Sequence, residues 1–180
     1  MWFKRDFLQN IESIRALPVK VLKGPRQVGK TSLLKRLAGY QIVYFDDASV
    51  RSFAQANPRL FFDQLKGPLI LDEATLSPEI FLELKSRVDE QRRDKSLPVI
   101  DVWITGSNQT LLQKNIRESL AGRASYFDLN TLSIHEIGDR WNLGVFLFKG
   151  GWPELYISEE LNSTRYLNDL ISTFIEKDIV

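Results

Sequence analysis

Cysteine is absent from the 180 residues. That excludes a disulfide framework, a thiolate metal site and a cysteine nucleophile, while leaving the compartment open. One histidine, His135, is present. With no cysteine to join it, zinc chemistry is not expected, and the residue reads as a surface or helix-cap group. Long apolar runs are missing too, so no segment is read as a membrane span. The opening stretch MWFKRDFLQN meets charge within five residues and lacks a signal-peptide core. A soluble, cytoplasmic chain with no membrane partner is the expectation. Charge of one sign is also lacking: 24 Lys+Arg face 23 Asp+Glu, a net charge of +1. That balance gives no support to a general nucleic-acid grip. No repeat or low-complexity tract is visible.

What is present is an ordinary core-forming composition, 43% hydrophobic, in a length that suits one domain and the start of another. Phe3, Phe7, Leu8, Ile11, Ile14 and Leu17 recur at helical spacing until Pro18 breaks the pattern. Their stripe, with Trp2, reads as core packing. VKVL (Val19 to Leu22), QIVYF (Gln41 to Phe45), PLILDE (Pro68 to Glu73), the run Val99 to Thr105 and ASYFDL (Ala124 to Leu129) read as five strands. Helices are expected over Lys30 to Ala38, Pro58 to Leu65 and from Ser77-Pro78 to about Arg92, the last with Ser77 as N-cap and Ile80, Phe81, Leu84 and Val88 facing inward. Strands alternating with helices imply an α/β fold with a central parallel sheet. After Leu129 the rhythm changes to a turn at FKGGWPELY and a largely helical tail. The expected division is a core over 1–130 and a helical lid or linker over 131–180, cut short at FIEKDIV as a fragment of a longer protein.

Gly24-x-x-x-x-Gly29-Lys30-Thr31 is a phosphate-loop pattern, with an expected strand before it and a helix after it. Glycines let the backbone of Gly24, Pro25, Arg26, Gln27, Val28 and Gly29 wrap close to phosphate with N–H groups pointing inward. Lys30 would reach the β- and γ-phosphates, Thr31 would ligate Mg²⁺, and Ser32 follows on the helix start. Asp72 ends an apolar strand, where it would hold Mg²⁺ through water, and Glu73 follows it as the candidate base for an attacking water. WITGSN supplies Thr105, Ser107 and Asn108, polar groups for a place beside the γ-phosphate or the water; the same residues are also turn chemistry. Asp46-Asp47 reads as acidic loop. KSRVDEQRRDK reads as a solvated helix face.

GPRQVGKT, LILDE, ITGSN, SLAGR and GGWPELY, in this order, resemble the prokaryotic AAA+-type ATPases that carry a C-terminal domain of unknown function; archaeal-type and STAND ATPases are similar relatives. The resemblance runs from about Arg5 to Tyr156. It implies a P-loop NTPase sheet of order 5-1-4-3-2, Asp72 for metal, Glu73 as base, and a first sensor within 105–108. It implies Arg123 as an arginine finger toward a neighbouring subunit's nucleotide, and hence a homo-oligomer. GGWPE resembles the Gly-x-Pro motif whose proline packs on adenine; Trp152 and Pro153 then offer flat surface for the base, or Trp152 is buried by a tight turn. DEAT departs from the family's more usual Asp-Glu-Ile/Val-Gln, and the C-terminal domain is missing from the chain.

Three functions compete. The first is a Mg²⁺-dependent ATPase whose hydrolysis drives or gates an attached C-terminal domain. The second is a nucleotide-loaded switch or scaffold with negligible turnover. The third, a small-molecule kinase, lacks a visible Arg-rich lid, and Glu73 beside Asp72 favours water as acceptor. Nucleic acid as a partner has no support in the charge pattern.

Overall fold

A computed structural model describes residues 2–11, 16–106, 116, 118–158 and 160–176. Ser107 and Asn108 lie outside the described residues.

Five parallel strands form one sheet: β1 (Val19–Lys23), β2 (Gln41–Tyr44), β3 (Leu69–Asp72), β4 (Val102–Thr105) and β5 (Ala124–Asp128), in the order β2-β3-β4-β1-β5. This is the expected order read from the other edge. β1, which runs into the phosphate loop, lies between β4 and β5.

Side chains alternate across the sheet, as strand geometry requires. Val19 and Val21 of β1, Leu69 and Leu71 of β3, and Val102 and Ile104 of β4 feed one core. Leu22, Ile70 and Trp103 feed the other. Because both faces are covered, the inner strands read as continuous apolar runs rather than alternating ones. α3 (Ala48–Ala56), α4 (Pro58–Asp63) and α5 (Ile80–Arg93) cover the first face. α1 (Asp6–Ile11) and α2 (Lys30–Leu34) cover the second, where Phe7 meets Trp103 and Phe127 edge-on with centroids at 6.3 and 5.9 Å.

Several boundaries move from their sequence expectation. α2 stops at Leu34, because Arg36 N–H and Leu37 N–H bond back three residues, tightening the last turn toward Gly39 at φ +80°. α5 begins at Ile80 rather than at Pro78, and Ser77 is not its cap: the Ser77 hydroxyl is buried and finds no hydrogen-bond partner among the described residues. Ile80, Phe81, Leu84 and Val88 are buried as expected. β4 starts at Val102, since Val99 stands 80% exposed beyond the sheet. α3 has no counterpart in the sequence reading. Asp47 caps it by accepting from Ser49 N–H at 2.8 Å, and Asn57 caps α4 by accepting from Leu60 N–H at 3.0 Å.

Beyond β5 the chain forms α6 (Ile134–Ile137), α7 (Leu143–Lys149), α8 (Glu154–Ile157) and α9 (Ser163–Phe174). α6 opens with a capping box between Ser133 and Glu136. Among the described residues, no helix is long and apolar enough to cross a membrane.

Candidate functional site

The phosphate loop leaves β1 at Gly24 and enters α2 at Lys30. Its glycines are demanded by geometry. Gly24 sits at φ +150°, and a Cβ there would lie 2.1 Å from the Leu129 carbonyl oxygen at the end of β5. Gly29 sits at φ +92°, just before α2. Gln27 takes φ +59° without being glycine, the kind of strain found where a loop is shaped for a ligand. Lys30 is buried, and its ammonium donates to the carbonyls of Gly24 and Pro25 at 2.9 and 2.8 Å.

The carboxylate end of β3 meets the start of α2. Thr31 Oγ1 donates to Asp72 Oδ1 at 2.8 Å, and Thr105 Oγ1 donates to the same oxygen at 2.7 Å. Asp72 thus collects two hydroxyls from two different elements. Thr105, at the end of β4, is fully buried. Its hydroxyl oxygen also accepts from Glu73 N–H at 3.1 Å. Glu73 adopts φ +56° and ψ +36°, a left-handed conformation that a non-glycine side chain disfavours by about 1–2 kcal/mol. Thr105 thus turns its hydroxyl to Asp72 and to the Glu73 backbone. It ties Asp72 to the strained backbone that aims Glu73 away from the strand.

These parts open on a cavity of about 770 Å³. Arg26 to Ser32 and Glu73 line it together with segments far apart in the chain: Trp2 and Phe3 at the N-terminus, and Pro153, Glu154, Ile157, Tyr166, Asp169 and Leu170 from the C-terminal helices. Sequence reasoning missed Trp2, Phe3, Tyr166 and Leu170 as lining groups. Nothing in their local pattern separates them from packing residues.

Pro153 lines the cavity, but Trp152 does not. Trp152 is half-buried and, following a turn, packs against the second core cluster. That turn is tight: Gly150 has φ +60°, and a Cβ on Gly151 would lie 2.2 Å from the Leu132 carbonyl oxygen. Arg123 sits at the far end of the sheet, just before β5, where its carbonyl accepts from Val19 N–H at 3.3 Å. One strand length, about 15 Å, separates that edge from the phosphate loop. Its guanidinium holds both oxygens of Asp89 at 2.7 and 2.8 Å, and this bond draws the Asp89 carboxyl below its usual range.

A buried clamp joins the pieces. Arg5 donates from Nε to Glu136 Oε1 at 2.9 Å, from Nη1 to the Val28 carbonyl at 2.8 Å and from Nη2 to the Asn130 carbonyl at 2.6 Å. One side chain thereby holds the phosphate loop, the segment after β5 and α6. Asp6 N–H adds a bond to the same Glu136 oxygen at 2.9 Å. His135 is exposed, with Nδ1 3.0 Å from the Asp6 carboxylate.

A family model described as an AAA domain matches residues 17–138. The chain belongs to the AAA domain family. The match covers β1 to α6, and so contains the phosphate loop, Asp72, Glu73 and Thr105. Two curated relatives, the uncharacterized proteins Mb2031c of Mycobacterium bovis and Rv2008c of Mycobacterium tuberculosis, are each 30% identical over 172 residues, covering 93% of this chain. The chain spans 37% of the length of these curated relatives. Among solved structures, the Walker-type ATPase PABY2304 of Pyrococcus abyssi matches with a TM-score of 0.57 at 16% identity, over 96% of this chain and 72% of that one. That likeness is one of fold. An AAA domain is a P-loop module of the ATPase type, and nucleotide binding comes with the family.

Proposed function

We propose that this AAA domain binds ATP with Mg²⁺ and hydrolyses the bond to the γ-phosphate. The observation that carries the reading is the convergence of Thr31, Asp72, Thr105 and Glu73 through three hydrogen bonds of 2.7–3.1 Å at the mouth of the phosphate loop. The backbone of Gly24 to Gly29 and the ammonium of Lys30 bind the phosphates. One hydroxyl and one carboxylate, Thr31 and Asp72, are hard oxygen donors that fit a magnesium ion carried with the nucleotide. When bound, that ion supplies positive charge to the phosphate oxygens. Glu73 takes a proton from water as the water oxygen bonds to the γ-phosphorus. The bond to the bridging oxygen then breaks, releasing ADP and inorganic phosphate.

Core and helical tail act as two parts in this reading, with residues 131–180 forming a lid, because Pro153, Ile157, Tyr166 and Leu170 share the cavity with the loop. The greater length of the curated relatives supports a further domain moved or gated by hydrolysis, the C-terminal domain of the resembling subgroup. Arg123 faces no phosphate of its own chain. A finger role is left to it only toward a neighbouring subunit, and only after it parts from Asp89.

The test is phosphate release with Mg²⁺ and ATP, run over a wide range of protein concentration, on the wild type and Glu73→Gln. The wild type releases phosphate; the variant binds ATP and does not. Equal release by both removes Glu73 as the base. ATP binding without release by the wild type at any concentration favours the loaded switch.

A further inference from the structure

Two basic side chains hold carbonyls of the phosphate loop. Lys30 donates to those of Gly24 and Pro25. In the reading above that ammonium turns to the phosphates, so its hold on the loop ends when nucleotide binds. Arg5 holds the Val28 carbonyl at 2.8 Å from Nη1. Its side chain is 5% exposed, and its other two nitrogens are bonded to Glu136 and to the Asn130 carbonyl. Arg5 therefore keeps its hold whether or not the site is filled, and it acts on the loop rather than on a ligand.

The peptide unit that Arg5 grips is one the local chain does not fix. Val28 stands between Gln27 at φ +59° and Gly29 at φ +92°. Glycine accepts φ of either sign, so rotation about the bonds flanking the Val28–Gly29 peptide can invert it. Beyond it the chain is fixed, since the Gly29 carbonyl accepts from Leu33 N–H at 2.8 Å at the start of α2. A trans peptide is planar, with its C=O and N–H pointing in opposite directions. Drawing the Val28 carbonyl to Arg5 therefore turns the Gly29 N–H the other way. Inverted, the unit would offer an oxygen where a phosphate needs a donor.

We propose that Arg5 is a positioning residue of the phosphate site: by holding the Val28 carbonyl it keeps the Gly29 N–H set as a donor to phosphate. The assignment rests on the ATP-binding reading above. It gives the buried ion pair a purpose, because a guanidinium that fixes a loop must itself be fixed, and Glu136 and Asn130 do that.

The test titrates inorganic tripolyphosphate and ATP into the full chain, well below every melting point, and follows the Gly29 amide by NMR. Glu136→Gln melts lower than the wild type, but Arg5 keeps the Val28 carbonyl, so both ligands bind within about twofold and move the Gly29 resonance as before. Arg5→Met combined with Glu136→Gln leaves no buried charge unpaired. It also melts lower, yet both ligands bind at least about tenfold more weakly, and the Gly29 resonance at saturation no longer moves as in the wild type. Arg5→Lys keeps the charge but brings one nitrogen to three separate acceptors, and weakens both ligands at least about threefold. Affinity that falls in step with melting temperature across all three variants, Glu136→Gln included, marks a purely structural role and overturns the proposal. Unchanged affinity without Arg5 overturns it as well, while leaving ATP binding itself intact. A wild type that binds neither ligand brings down the ATP-binding reading, and the Arg5 assignment with it.

Discussion

Thr105→Val replaces a buried hydroxyl by a methyl of nearly the same size, so the change opens no cavity. Two hydrogen bonds vanish: the one given to Asp72 at 2.7 Å and the one accepted from Glu73 N–H at 3.1 Å. Asp72 keeps its bond from Thr31. Glu73 N–H loses its acceptor in a residue already held at a disfavoured φ of +56°. An orphaned buried donor costs about 1–3 kcal/mol, and a lost neutral bond about 1 kcal/mol. The expected destabilisation is about 2–3 kcal/mol, which lowers the melting temperature of a chain this size by about 5–10 °C. If about 2 kcal/mol of Glu73 positioning is lost from the transition state, turnover falls about 30-fold. The ATP affinity changes by less than about twofold, since the loop and Lys30 are untouched. Thr105→Ser keeps the hydroxyl and restores most of both losses. Thermal melts, ATP titration and phosphate release on the three proteins check this. A Thr105→Val protein that melts low but hydrolyses at the wild-type rate refutes the positioning role, and so does a loss confined to ATP affinity.

Two further substitutions probe the frame of the site. Arg5→Met strands Glu136, whose side chain is only 7% exposed, as a buried carboxylate without its cation. The expected cost is about 3–5 kcal/mol, a melting temperature lower by about 10 °C, and adding Glu136→Gln recovers about half by removing the charge. Gly24→Ala sets a methyl 2.1 Å from the Leu129 carbonyl oxygen at φ +150°. The loop has to part from the end of β5, so ATP affinity falls at least about tenfold, with about 1–3 kcal/mol lost from stability in a denaturant titration.

The strands were legible because burial on both faces writes them as short apolar runs, and the spacing from β1 to α2 carries the phosphate loop in consecutive residues. Asp72 and Glu73 were legible for the same reason, standing at the end of such a run. α3 had a readable signal that went unused: Asp47 as cap, then Val50, Phe53 and Ala54 at helical spacing. Ser77 shows the opposite error, a capping residue by type whose hydroxyl is buried in the fold instead.

By itself the sequence determined the α/β class, the strand inventory and the position of the phosphate-loop pattern between β1 and α2, because each depends on residues within one turn or one strand of each other. Only the tertiary structure decided which distant groups meet. Arg5 reaches Glu136 across 131 positions, Thr105 reaches Asp72 across 33, and Trp2 and Tyr166 face one cavity from opposite ends of the chain. Trp152 and Pro153 are neighbours in sequence, yet one packs half-buried against the second core and the other lines the cavity. Contacts of this kind leave no periodic trace, because what selects the residue is the shape and polarity of a partner brought close only by folding.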